Sequence, residues 1–144
     1  MLTSENDPGQ GRFLMLVIML KLNYSMRFRK PKNSEKIYWT QHSIEKMRHY
    51  RLSENRLKRV LRNPDRKEEG IAPKTLAVMQ KTGSIKHPTE IWIMYQKIKT
   101  RSDNKNKPAE KIKIISAWRY PGISPKGKQI PIPEDILAEL DKLL

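Results

Sequence analysis

The sequence predicts an α+β domain: two N-terminal helices packed on a small antiparallel sheet of three to four strands, with a further helix at the C-terminus. Three observations carry this. Two short segments have helical apolar spacing behind good capping residues, three longer segments are rich in β-branched and aromatic residues, and the last ten or so residues are leucine-rich with acidic residues at their start. The chain has 144 residues, enough for one modest core.

The first 25 residues stand apart. "MLTSENDPGQGR" reads as flexible coil, with Pro8, Gly9 and Gly11 interrupting regular structure. The apolar run Phe13–Leu20, "FLMLVIML", is too short to span a bilayer as a helix, so no transmembrane anchor is expected. It matches the apolar centre of a signal peptide in length, but Glu5 and Asp7 lie where cations belong and no small-residue cleavage site follows. Two readings remain: a buried or edge strand, or an extension upstream of a start at Met26. Arg12 and Lys21 offset Glu5 and Asp7, so the segment adds no net charge. Residues 26–36 form a basic arm, "MRFRKPKNSEK".

Residues 37–120 form the expected core. "IYW" suits a short strand. Thr40 is a plausible N-cap for a helix from Gln41 to Tyr50, with Ile44 and Met47 inward and His42, Lys46 and His49 together on the other side. Ser53 caps the next helix, Glu54 suits its positive end, and Leu52 can staple onto Leu57. Leu57, Val60 and Leu61 have i, i+3, i+4 spacing, and Pro64 ends the helix. Strands are expected at 74–80, 90–99 and 111–120, joined by polar hairpin tips into a meander, with Trp92, Tyr95 and Trp118 in the core. Residues 121–144 comprise an extended stretch and the last helix. Pro133 fits its first position, and Ile136, Leu137, Leu140, Leu143 and Leu144 form its apolar side.

Lys and Arg number 30 against 15 Asp and Glu, a net charge of +15 carried by residues 26–144. That excess points to polyanions: nucleic acid first, then an anionic membrane surface or an acidic protein. The chain has no cysteine, which excludes disulfides and thiolate metal sites and is compatible with a reducing, cytoplasmic setting. His42, His49 and His87 form no metal-ligand spacing, so neither a metal nor another cofactor is expected.

"HSIEKM…LSENRLKRVLRNPD", followed by "KIKIISAWRY", resembles a family of small uncharacterised domains. Its members open on His-Ala-x-x-Arg-Met and close on a strand ending near Thr-Ala-Tyr-Arg. That family is similar in turn to the RelE-like and barnase–EndoU–colicin–RelE group, many of them metal-independent ribonucleases and often toxins of toxin–antitoxin pairs. His42, Met47, Leu52, Val60, Leu61 and Pro64 match the pattern. Ser43 replaces Ala, Lys46 replaces Arg, and Tyr50 stands where Arg is usual, with Arg51 beside it. The resemblance implies a helix pair on an antiparallel sheet and an RNA partner, ribosome-associated or not, and leaves room for an acidic antitoxin-like partner.

Metal-free RNA cleavage needs a base, an acid and cations around the developing phosphorane. His42, Lys46, Arg119 and Tyr120 are the catalytic candidates, and Arg48, Arg51, Arg56, Arg59, Arg62 and Lys113 the candidates for holding phosphate. The alternatives are a non-catalytic RNA- or ribosome-binding module on the same cations, and a protein-interaction or membrane-surface module using "FLMLVIML" and the arm. For His42 itself, a capping or backbone-bonding role is the plainer reading.

Overall fold

A computed structural model of the chain describes residues 8–101 and 109–143. The fold is α+β: four helices and one five-stranded mixed sheet. Helix α1 (Pro8–Arg27) precedes strand β1 (Ile37–Trp39), helices α2 (Gln41–Tyr50) and α3 (Glu54–Arg62), strands β2 (Arg66–Glu69), β3 (Thr75–Gly83), β4 (Pro88–Thr100) and β5 (Ala109–Pro121), and helix α4 (Glu134–Leu143). The strand order is β1-β5-β4-β3-β2; β1 runs parallel to β5 and the other pairs are antiparallel.

Local chemistry sets the helix ends. The Thr40 hydroxyl accepts from the Ser43 N–H at 3.1 Å, and the Ser53 hydroxyl accepts from the Arg56 N–H at 3.1 Å, each satisfying a donor that the first turn leaves free. Arg51 closes α2 in the left-handed region, at φ 56° and ψ 51°. Leu52 and Leu57 are both fully buried in one core cluster, as a hydrophobic staple requires. Pro133 precedes α4, and its carbonyl accepts from Ile136 and Leu137. At the β3–β4 hairpin Gly83 has φ 83°, and a Cβ there would lie 2.3 Å from the His87 carbonyl oxygen, so only glycine fits.

The sheet is buried on both faces. On one, Ile44, Met47, Leu57 and Val60 of the helix pair pack with Val78, Ile91, Ile93 and Ile114. On the other, Ile136 and Leu140 of α4 pack with Met79, Trp92, Met94, Ile115 and Trp118. Trp92 and Trp118 stack there with ring centroids 6.3 Å apart.

The sheet differs from the expected meander in two ways. β1 joins it in parallel. β2, an all-charged "RKEE" at the opposite edge, pairs with β3 (Arg66↔Met79, Glu69↔Leu76). Charged side chains suit an edge strand, whose outer row of N–H and C=O groups is unpaired.

The N-terminal expectation is also corrected. Pro8, Gly9, Gly11 and the apolar run all lie within α1, so they are neither coil nor strand. Pro8 takes the first helical position, where its missing N–H costs nothing. Met26 falls within the last turn of this helix rather than at the start of an arm. The coil read for residues 1–7, most of the β4–β5 hairpin tip (102–108) and Leu144 lie outside the described residues.

Candidate nucleic-acid interface and the buried His42–Lys46 network

Where β1 ends at Trp39, α2 takes over against β5. The Thr40 hydroxyl donates to the Ile114 carbonyl at 2.7 Å and ties the helix start to that strand. A bulge follows at once: Tyr95 pairs with Ile114 and Met94 with Ser116, which leaves Ile115 as the extra residue. The bulge aims Ser116 at α2, and His42 Nε2 lies 3.1 Å from its hydroxyl.

α2 is covered on two sides, which its helical wheel does not disclose. Ile44 and Met47 enter the first cluster, and the His42–Lys46 side meets α4. His42 Nδ1 is 2.8 Å from Glu139 Oε2, Lys46 Nζ donates to Asp135 Oδ2 at 2.8 Å with Glu139 Oε1 at 3.5 Å, and the Tyr50 hydroxyl donates to Asp135 Oδ1 at 3.0 Å. His42 and Lys46 are only 7% and 8% exposed. His49 stays at the surface, edge-on to Tyr50.

The electrostatics follow from burial and pairing. Burial lowers the His42 pKa and outweighs the nearby Glu139 carboxylate, which favours a neutral imidazole. Burial also works against the Lys46 ammonium, but Asp135 and Glu139 outweigh it and hold its pKa above the usual value. Asp135 is itself partly buried, yet the bonds from Lys46 and Tyr50 keep its carboxyl below the usual range. Burial, followed by the bond to Asp135, pushes the Tyr50 phenol well up.

Ser116, His42 and Glu139 have the order of a nucleophile–base–carboxylate relay. Ser116 is fully buried, however, so no substrate atom reaches its hydroxyl as the chain is folded. The arrangement therefore works as a tether among β5, α2 and α4.

The four catalytic candidates form two sets. His42 and Lys46 stand together in the tether. Arg119 lies between Trp118 and Tyr120, which both pack in the α4-side cluster, so strand alternation turns Arg119 toward the α3 side. Among the described residues no hydrogen bond or ion pair links Arg119 or Tyr120 to His42 or Lys46. Arg119, Tyr120 and Tyr50 do line one open cleft of about 510 Å³ together with Pro131, Ile132 and Pro133. The expected single cluster is thus replaced by a tether and a cleft, joined through Tyr50.

The phosphate-holding candidates also divide. Arg56, Arg59 and Arg62 lie on α3. Arg56 donates to the Gln80 side-chain carbonyl on β3, and its pKa is lowered first by burial and then by the neighbouring charges of Arg59 and Arg119. Among the described residues no carboxylate is paired with Arg56, Arg59 or Arg119, whereas Lys58 is paired with Glu54 and Arg66 with Glu68. Arg48 is exposed, with its guanidinium 5.0 Å from the centre of the Phe28 ring. Arg51 is exposed at the α2 end. Lys113 lies between Ile112 and Ile114, which both face the helix pair, so it points to the other face and joins no site with α3.

The sequence reading missed Ser116, Asp135 and Glu139. Asp135 is one of the acidic residues at the start of the last helix, and its partner Lys46 is 89 positions away in the chain. Among the described residues no group of His, Asp and Glu is arranged to hold a metal ion. Comparison of the chain with family models, with curated proteins and with solved structures gives no match.

Proposed function

We propose that the chain binds RNA through phosphate contacts on the surface shared by α3 and the end of β5. The observation that carries this reading is the grouping of Arg56, Arg59 and Arg119 without a paired carboxylate among the described residues; burial first, and then the charges of Arg59 and Arg119, lower the pKa of Arg56. Cations held together without carboxylates are poised for a polyanion, because phosphate oxygens relieve their mutual repulsion and accept bidentate bonds from guanidinium groups. The cleft beside Arg119, with Tyr50 and Tyr120 on its rim, offers aromatic edges to an unpaired base. An acidic protein of antitoxin type would occupy the same surface and compete with RNA. A cytoplasmic setting belongs to the same reading.

A second reading is metal-independent scission by His42 and Lys46. It is favoured by their adjacency one helical turn apart, with Tyr50 alongside. It requires α4 to leave, which frees His42 Nδ1 from Glu139 and Lys46 from Asp135, while Nε2 stays beside the Ser116 hydroxyl of β5. Incubation of labelled single-stranded RNA with the full chain in EDTA separates the two readings. Retarded but intact RNA fits binding alone. Fragments with 2′,3′-cyclic phosphate ends that disappear in His42→Ala fit scission. RNA that is neither retarded nor cut removes both.

A further inference from the structure

α1 takes no part in the surface described above, and its apolar residues are turned outward. Eight large apolar side chains between Phe13 and Leu22 are at least half exposed, Phe13 at 67% and Ile18 at 50%. None of them belongs to either core cluster. Such a stretch needs a cover that is apolar.

Charge selects among the covers. From Pro8 to Ser34 the chain carries Arg12, Lys21, Arg27, Arg29, Lys30 and Lys32 and no carboxylate. A second copy laid along α1 would bring two such sets of cations together. An RNA would satisfy the cations and leave the apolar side chains in water. An anionic lipid surface satisfies both, with acyl chains meeting Leu16 and Met19 and headgroups meeting the flanking Arg12 and Arg27. Spanning does not fit: no helix among the described residues is long and apolar enough to cross a membrane. The run between Arg12 and Lys21 is about 12 Å long at helical rise, against the ~30 Å of a hydrocarbon core. Long basic side chains at its ends can reach back to the headgroups.

We infer that α1 and the basic segment after it dock the chain on an anionic membrane surface, with the apolar run of α1, which goes right round the helix, sunk among the acyl chains and its flanking cations at the headgroups. The docking stands independently of whether the body binds RNA.

The test is co-sedimentation of the full chain with vesicles of phosphatidylglycerol mixed into phosphatidylcholine, and with vesicles of phosphatidylcholine alone. The wild type is expected to partition into the anionic vesicles at least about tenfold better than into the neutral ones. A Leu16→Glu/Met19→Glu double variant is expected to lose more than about tenfold of that partitioning while its thermal unfolding midpoint stays unchanged. Equal partitioning into both vesicle types, or none into either, overturns the inference. So does self-association of the wild type, seen by analytical ultracentrifugation without lipid and abolished by the same two substitutions, because a second copy would then be the cover. The comparison of the two lipid compositions uses only the wild type, so it decides the matter even if the variant misfolds.

Discussion

Replacing Lys46 with Ala tests whether α4 is held to the body by the buried network. The ammonium is 10% exposed at the side chain, whereas its partners Asp135 and Glu139 are 38% and 43% exposed. An exposed pair contributes roughly 0–1 kcal/mol, and breaking a fully buried one costs about 3–5 kcal/mol. Lys46 lies between these limits, because in its absence both carboxylates can take up water while Tyr50 and His42 still donate to them. A loss of about 1–2 kcal/mol follows, and for a chain of this size it lowers the melting midpoint by roughly 3–8 °C. The assay is thermal and urea unfolding of wild type, Lys46→Ala, Asp135→Asn and the double variant. The double-mutant cycle should return a coupling of about 1 kcal/mol. A coupling near zero, with both single variants as stable as wild type, would refute the reasoning. It would mean that α4 stays in place through Ile136 and Leu140 alone.

Three further outcomes follow from the same geometry. The pKa of His42 is lowered on folding, so its neutral-state contribution is complete above about pH 6.5 and is lost as the pH falls through the folded value. Asp135 is also lowered, and it adds a second loss that begins as the pH falls through about 3.9 and continues below it. Urea midpoints measured from pH 8 to pH 3 should fall in that order, with the first step absent in His42→Asn; stability that rises on acidification from pH 7 to 5 would contradict this. Thr40→Ala removes both the α2 cap and the bond to Ile114 and should cost about 1–2 kcal/mol, with Thr40→Ser recovering most of it. Gly83→Ala should destabilise the β3–β4 hairpin by more than about 1 kcal/mol, measured as a shift in urea midpoint, because the added methyl meets the His87 carbonyl at a positive φ.

Elements whose cause is local were legible in the sequence. α2 and α3 have the expected bounds because Thr40, Ser53 and Pro64 act within one turn, and the β-branched and aromatic runs became β3, β4 and β5. Elements whose cause is distant were not. "RKEE" has no strand propensity and becomes β2 only because β3 offers it a partner. Nothing near "IYW" specifies a parallel partner some 75 positions onward. The run "FLMLVIML" satisfies strand and helix patterns alike at eight residues. At the candidate site, the wheel of α2 placed His42 and Lys46 away from Ile44 and Met47, but could not show that Asp135 and Glu139 of α4 cover that side. The alternation that turns Arg119 away from Tyr120 was readable in principle from the strand "KIKIISAWRY". The bulge at Ile115, which aims Ser116 at His42, left no sign in the sequence.

The central claim is that Arg56, Arg59 and Arg119 together hold RNA phosphates. The most direct measurement is the affinity for a short single-stranded RNA by fluorescence anisotropy over a range of salt concentrations, for wild type and for Arg59→Ala/Arg119→Ala. The account predicts a linear fall of log affinity with log salt, and a slope smaller in the double variant by about 0.7 for each phosphate contact removed. An affinity indifferent to salt, or a slope identical in the two proteins, would contradict it and move the basic surface from nucleic acid to a protein partner.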